Sequence, residues 1–375
     1  MSDLELLRRE MDRTLRVPGE RPSDSTTLTR RTFLHRSLLR GVAGAAAYGL
    51  FPTLSTIDIA FAQTAQAFKF AWISDTHLYP KDFNTRFVEK STRAIKEAQA
   101  LSPPADFLMF GGDLAQLGNP VELQLGSDLL QEIKIKKFFI PGEHDWYLDM
   151  GATWNQMFGK APWTFDHKGV RIVGLDTVSH AEDFWTSRKL TAKERMGHMA
   201  TLDGTLGGAW AAVGNEQLTW LNSTLSNWPK DKPVIVFSHN PLYEYYPPWN
   251  FWVRDWREVH ETLRPYTNVT NIHGHVHQPV YNEIGKLRSI GMLATSWPWP
   301  YPPEGVPILT RPMIRVDPGD PFDGVGWGHI SEGADGRVDA QYKMWRKEVF
   351  ATEQVDSGTG DNDNQILRPR VADRI

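Results

Sequence analysis

The chain has 375 residues, a formal net charge of −4 with histidine neutral, and no cysteine. That length supports one large hydrophobic core. The missing thiols exclude disulfides, thiolate metal sites and cysteine nucleophiles, so any bound metal must be held by oxygen and imidazole nitrogen. With no basic block in the sequence, a nucleic-acid backbone is excluded as a partner.

Residues 1–62 read as an export address. Thr29-Arg30-Arg31-Thr32-Phe33-Leu34 is a twin-arginine signature, a mildly apolar Gly/Ala-rich stretch covers residues 41–54, and Ala60-Phe61-Ala62 gives a small-residue cleavage pattern. The apolar stretch falls short of the about 20 residues a membrane helix needs, so no stable transmembrane span is expected. The expected route is export of the folded chain by the twin-arginine machinery to the periplasm, a route often taken by proteins that load a cofactor first.

The globular domain is expected over residues 63–350. Residues 68–73 form an apolar run ending at Ser74-Asp75-Thr76-His77. Residues 83–100 are helical in character, with Phe87, Ala94, Ile95 and Ala98 at helical spacing, until Pro103-Pro104 interrupts. A second strand over 107–110 ends at Gly111-Gly112-Asp113. A helix over 123–133 carries Leu125, Leu129, Leu130 and Ile133 on one side, and a third strand over 137–140 delivers Pro141-Gly142-Glu143-His144-Asp145. Alternating strands and helices of this kind build right-handed parallel units, which bind ligands beyond the carboxyl ends of their strands.

Residues 163–165 and 170–175 read as a strand pair joined by His167-Lys168-Gly169, and residues 179–214 lack a clear period and read as a loop or cap insertion. A helix is expected over 216–228, with Leu218, Leu221 and Leu225 on one face. Strands over 234–237 and 269–273 deliver Ser238-His239-Asn240 and Gly274-His275-Val276-His277. Further short strands are expected over 280–284, 287–290, 313–316 and 338–345. Residues 351–375 are polar and aperiodic, as in a disordered tail.

Five acid/histidine clusters, each following a short apolar run, are the main chemical signal. Singly, each is compatible with a turn, a cap or a satisfied core histidine. Together they supply what a pair of metals about 3.5–4 Å apart requires: carboxylates and neutral imidazoles from several segments, with one carboxylate to share. Such a pair generates hydroxide at neutral pH and clamps an in-line displacement at phosphorus. Gly111 and Gly112 before Asp113 allow close backbone approach; Asp75 and His77 can reach one ion if the chain leaves regular strand there and otherwise still point to one face, and His275 and His277 likewise share a face, with Gly274 making room.

In this order, D-x-H, G-D, G-x-H-D, H and G-H-x-H, the motifs from Asp75 to His277 resemble the calcineurin-like metallophosphoesterase superfamily. The resemblance implies an α/β fold, a four-layer αββα sandwich with a dinuclear site at the strand ends. It further implies one metal held by Asp75, His77, Asp113 and His277 and a second by Asp113, Glu143, His239 and His275. The ions would be divalent or trivalent, of manganese, iron or zinc. His144 would be the general acid, Asp145 would orient or polarise it, and a metal-bridging hydroxide would attack a small-molecule phosphate ester.

The family usually has Asn at the place of Glu143, so this chain brings an extra carboxylate, which tunes the metals and opens an alternative: a metal-stabilised binding or scaffold protein without turnover. Purple acid phosphatases carry Tyr three residues after the bridging Asp, where this chain has Gln116, so that type is not expected. The compact layout is similar to class III bacterial cyclic-nucleotide phosphodiesterases, with phosphomonoesters, nucleotides, phospholipid headgroups and phosphoproteins left open as substrates.

Two Pro-rich aromatic stretches remain. Tyr243, Tyr245, Tyr246, Trp249, Phe251 and Trp252 follow His239, and Trp297-Pro298-Trp299-Pro300-Tyr301 follows the last motif. Their prolines make them loops. Their rings either wall the site and stack a planar group or pack the loops onto the sandwich.

Overall fold

Short apolar runs without polar alternation become strands buried on both faces. In the computed structural model, residues 66–83, 85–146, 148–179, 189–199, 210–245, 251–298, 322, 324–333, 336–345 and 366–367 are described. In chain order the elements begin β1 (Phe68–Ile73), α1 (Thr85–Gln99), β2 (Phe107–Phe110), α2 (Pro120–Leu130), β3 (Lys136–Phe139) and α3 (Ala152–Phe158). They continue β4 (Trp163–His167), β5 (Val170–Gly174), α4 (Ala192–Met199), α5 (Asn215–Leu225), β6 (Val234–Ser238) and α6 (Trp256–Leu263). The last are β7 (Val269–His273), β8 (Val280–Ile284), β9 (Leu287–Gly291), β10 (Gly326–Glu332), β11 (Val338–Met344) and β12 (Ile366–Leu367).

The strands form two sheets, ordered β12-β11-β10-β1-β2-β3 and β4-β5-β6-β7-β9-β8. In the first, β1, β2 and β3 run parallel, and in the second β5, β6, β7 and β9 do. Alternation along each strand then sorts the layers. Phe70 and Trp72 of β1 meet Ile235 and Phe237 of β6 between the sheets, whereas Ala71 and Ile73 face Ala94, Ile95 and Leu123 of α1 and α2. On the far side Val234 and Val236 pack against Leu221 and Leu225 of α5 and Val259 and Leu263 of α6. The result is the helix–sheet–sheet–helix sandwich that the sequence led us to expect.

Several elements were not foreseen. Helix α2 starts three residues earlier than its leucine spacing suggests, because the Asn119 side chain accepts from the Val121 and Glu122 amides and Pro120 occupies the first turn. Strand β10 has two glycines and a histidine in seven residues, so it shows no apolar alternation. Helices α3 and α6 were also missed, and α4 occupies part of the stretch read as a loop insertion. Residues 1–62 and 313–316 lie outside the described residues, as does the expected tail except Ile366–Leu367, which pairs with β11. Among the described residues no helix is long and apolar enough to cross a membrane.

The two sheets lock through aromatic rings. Phe237 is fully buried, edge-on to Phe70 with centroids 5.4 Å apart and 5.8 Å from Trp72. Replacing Phe237 by Ala is expected to cost about 3–5 kcal/mol of folding free energy. Urea unfolding checks this, and a loss below about 1 kcal/mol would show that the inter-sheet layer does not depend on this ring.

Candidate metal centre

Because the central strands are parallel, the segments that follow β1, β2, β3, β6 and β7 leave at one end of the sandwich. The first two loops then run together: Asp75 N–H donates to Gly112 O (2.9 Å), His77 N–H to Asp113 O (3.0 Å) and Leu78 N–H to Leu114 O (2.8 Å). Asp75, His77, Asp113, His275 and His277 all have positive φ, between 45° and 63°. This is the left-handed region that Asp and His enter more readily than most residues. The departure from strand geometry is what lets alternate residues turn toward one point.

Two groups of donor atoms form there, each with its atoms within 4.8 Å of one another: Asp113, Glu143, His239 and His275, and Asp75, His77 and His277. All seven side chains are buried. Asp113 links the groups, with its Oδ2 3.3 Å from His239 Nε2 and 3.6 Å from His77 Nε2. Glu143 faces two imidazoles, Oε1 lying 2.8 Å from His275 Nδ1 and Oε2 3.0 Å from His239 Nε2. Asp75 Oδ1 lies 3.2 Å from His277 Nε2 and also accepts the His275 amide (3.1 Å). Its Oδ2 accepts the Ser74 hydroxyl, itself held by the Trp72 indole.

Backbone carbonyls set the imidazoles. His239 Nδ1 pairs with Gly111 O and His277 Nδ1 with Trp297 O, each at 2.7 Å, leaving Nε2 of both rings toward the cluster. His144 Nδ1 pairs with Gln116 O at 2.7 Å, and the ring stands edge-on to His77 with centroids 4.6 Å apart. Trp297 and Gln116 serve through main-chain oxygens, which leave no mark in the sequence.

This donor set fits metal ions. Glu143 Oε2 and His239 Nε2 are buried and close, yet neither makes a directed hydrogen bond. Their atoms converge on a shared space without aligning on each other, as ligands of a cation do. Charge points the same way. Burial pushes the Asp75 carboxyl up, but His277, His239 and the Ser74 hydroxyl together hold Asp75 below its ordinary range. Burial opposes ionisation of Glu143 as well, and His275 and His239 hold it well below the usual carboxylate value. Burial, then His144 and His277, keeps His77 well below its ordinary value, and therefore neutral with a lone pair to offer. Buried carboxylates need a positive partner, and His239 is pushed well above its ordinary value, against its burial, by Asp113 and Glu143. Cations among these oxygens would supply the same compensation.

Asp145 acts on the backbone of these loops: its Oδ1 accepts the Ala115 amide (2.9 Å) and its Oδ2 the Gly142 amide (3.1 Å). Adjacent residues in a tight turn send their side chains apart, and Asp145 braces the loops after β2 and β3. Of the aromatic stretch after His239, Tyr243, Tyr245, Phe251 and Trp252 are buried in the packing, whereas Tyr246, Trp249, Trp299 and Tyr301 lie outside the described residues.

Comparison with known proteins gives a family match. The family model for calcineurin-like phosphoesterases matches residues 68–279. A probable glycerophosphodiester phosphodiesterase of Arcobacter nitrofigilis is 25% identical over 174 residues, 45% of this chain and 55% of that protein, so the match spans about half of that relative. A 3',5'-cyclic adenosine monophosphate phosphodiesterase of Haemophilus influenzae is 23% identical over 303 residues, 77% of this chain and 94% of that protein. Among solved structures, a purple acid phosphatase of yellow lupin aligns with a TM-score of 0.50 at 13% identity, covering 82% of this chain and 54% of that one; this likeness concerns the fold.

Gly142 allows close approach to the linking carboxylate, since a Cβ there would meet Asp113 Oδ1 at 2.1 Å. Gly142→Ala must displace the linking carboxylate. The variant is expected to lose metal at least about tenfold more readily than the parent during dialysis against a chelator, read by elemental analysis, as for other disturbed ligand shells. Parental retention would show that Asp113 is not a shared ligand.

Proposed function

Because the chain belongs to the calcineurin-like phosphoesterase family, we propose that it hydrolyses phosphate esters at a dinuclear metal centre. One ion would be held by Asp75, His77, Asp113 and His277 and the other by Asp113, Glu143, His239 and His275. The observation that carries this reading is the position of Asp113 Oδ2, within 3.6 Å of His77 Nε2 and 3.3 Å of His239 Nε2, one oxygen facing both groups. When bound, such a pair of cations supplies hydroxide near neutral pH and neutralises phosphoryl charge.

The protein's own residues supply the rest. His144 places one ring nitrogen within 4.8 Å of donor atoms of His77 and Asp113. Its Nδ1 pairs with Gln116 O, and we assign the proton transfer to Nε2. As the new P–O bond forms from water oxygen and the bond to the leaving oxygen breaks, His144 Nε2 gives its proton to that leaving oxygen. The buried Asp145 fixes the turn that presents His144. Both relatives above are named for phosphodiester substrates, which supports a diester as substrate here. The Thr29–Leu34 signature supports export by the twin-arginine machinery and a periplasmic site of action.

His144→Ala is expected to lower turnover of a phosphodiester by roughly 10²–10⁴ with metal content unchanged. Unchanged turnover would remove His144 from the proton transfer. A parent protein that holds two metals but turns over no phosphate ester would make it the metal-stabilised binding protein instead. For location, Arg30→Lys with Arg31→Lys is expected to leave the chain in the cytoplasmic fraction; periplasmic recovery of that double variant would refute the export route.

A further inference from the structure

The two sides of the metal centre end differently. On the His275 side the ring is met by Phe251, edge-on with centroids 4.8 Å apart, and by Trp210 at 6.2 Å. Both of these rings are buried, at 6% and 5% exposure. On the His77 side Trp297 lies against the imidazole at 4.1 Å, and its ring is only partly buried. From Trp297 a row of rings leads outward: Phe87 at 5.6 Å, Tyr79 at 6.2 Å from Phe87, and Phe83 at 5.2 Å from Tyr79. Phe83, at the end of the row, is 77% exposed.

A single exposed phenylalanine is ordinary, but a contiguous row that begins on a metal-ligating imidazole and ends in solvent is a built surface. It is also held in place. Lys90, one turn along α1 from Phe87, donates its ammonium to Ser296 O, tying the helix to the segment that carries Trp297. Trp297 in turn receives His277 Nδ1 on its carbonyl oxygen. His144 stands against the same His77 ring that Trp297 covers. The proton donor and the first ring of the aromatic row therefore both border the His77 imidazole.

Resting on the phosphoesterase reading, we infer that Trp297, Phe87, Tyr79 and Phe83 form a leaving-group shelf that selects phosphate esters of aromatic alcohols over those of small alkyl alcohols. Ring-on-ring contact adds to the burial of apolar area, and both terms are absent for a methyl or ethyl group.

The test uses hydrolysis-resistant diester isosteres on metal-loaded, full-length protein, with binding read by calorimetry: methyl benzylphosphonate for methyl phenyl phosphate and methyl ethylphosphonate for dimethyl phosphate. The parent is expected to bind methyl benzylphosphonate about tenfold more tightly than methyl ethylphosphonate, the scale that one well-placed aromatic contact gives. Phe87→Ala is expected to bring that ratio below about threefold with metal content retained. Phe83→Ala, at an exposed position that the fold does not need, is expected to lower the ratio in the same direction. A parental ratio near one, or a ratio unchanged in both variants, would overturn the shelf while leaving the phosphoesterase reading intact. A metal-loaded parent that binds neither phosphonate would overturn both.

Discussion

Buried negative charge is the constraint on which the rest of this molecule turns. Asp75, Asp113 and Glu143 are each at most 4% exposed and lie among the imidazoles of His77, His239, His275 and His277. Carboxylates so placed cost several kcal/mol apiece unless a positive group accompanies them. The sandwich accepts that cost at one end only, with a dry aromatic layer behind it in which Phe70, Trp72 and Phe237 contribute no polar partner to the cluster. The stability of the strands is what holds the unfavourable end together.

The same end stores conformational strain. Five of the seven proposed ligands sit at positive φ, each costing on the order of 1–3 kcal/mol outside a structure that compels it. What compels it is visible: the amides of Asp75, His77 and Leu78 are spoken for by the neighbouring loop, and the amides of His275 and His144 are committed to the Asp75 and Asp113 carboxylates. Asp113 thus does two things at once, fixing the backbone of the opposite loop with Oδ1 and facing the cluster with Oδ2, and Asp75 does both with Oδ1. This explains why the clusters are short. Each needs only the ligand, a glycine or serine to make room, and an amide for its neighbour.

Much of this was legible in the sequence because burial on both faces leaves strands as uninterrupted apolar runs, and a polar residue can appear only where the strand stops. β1, β2, β6 and β7 announce their ends that way, and Asp75, Asp113, His239 and His275 follow within a few residues. What was not legible depends on three-dimensional partners. β10 has no pattern, since its identity comes from lying between β1 and β11. The partners of His144 and His277 are main-chain oxygens of Gln116 and Trp297, and any residue can supply a carbonyl. At Asp145 the sequence does not show the means of action, since its carboxylate braces two backbone amides of the loops around His144. Of the two readings open for the aromatic stretch after His239, Tyr243 and Tyr245 follow the packing one, while Phe87, an ordinary helix residue by its spacing, lies in line with Trp297.

Glu143 is the position where this chain departs from the family's usual Asn, and its geometry shows what the departure does. An amide offers one acceptor oxygen, whereas Glu143 sets Oε1 against His275 and Oε2 against His239. Both oxygens are thereby used within a single ligand group, so the substitution spans two imidazoles rather than merely replacing one oxygen donor with another. The added charge sits beside the shared Asp113, close to where a phosphoryl group would have to approach. Coulombic attraction in so buried a place strengthens the hold on a cation and at the same time repels an anionic substrate. A diester carries one negative charge at neutral pH where a monoester carries close to two. On the phosphoesterase reading proposed above, the penalty imposed by Glu143 would fall more heavily on monoesters, and this one side chain then adds support for a diester.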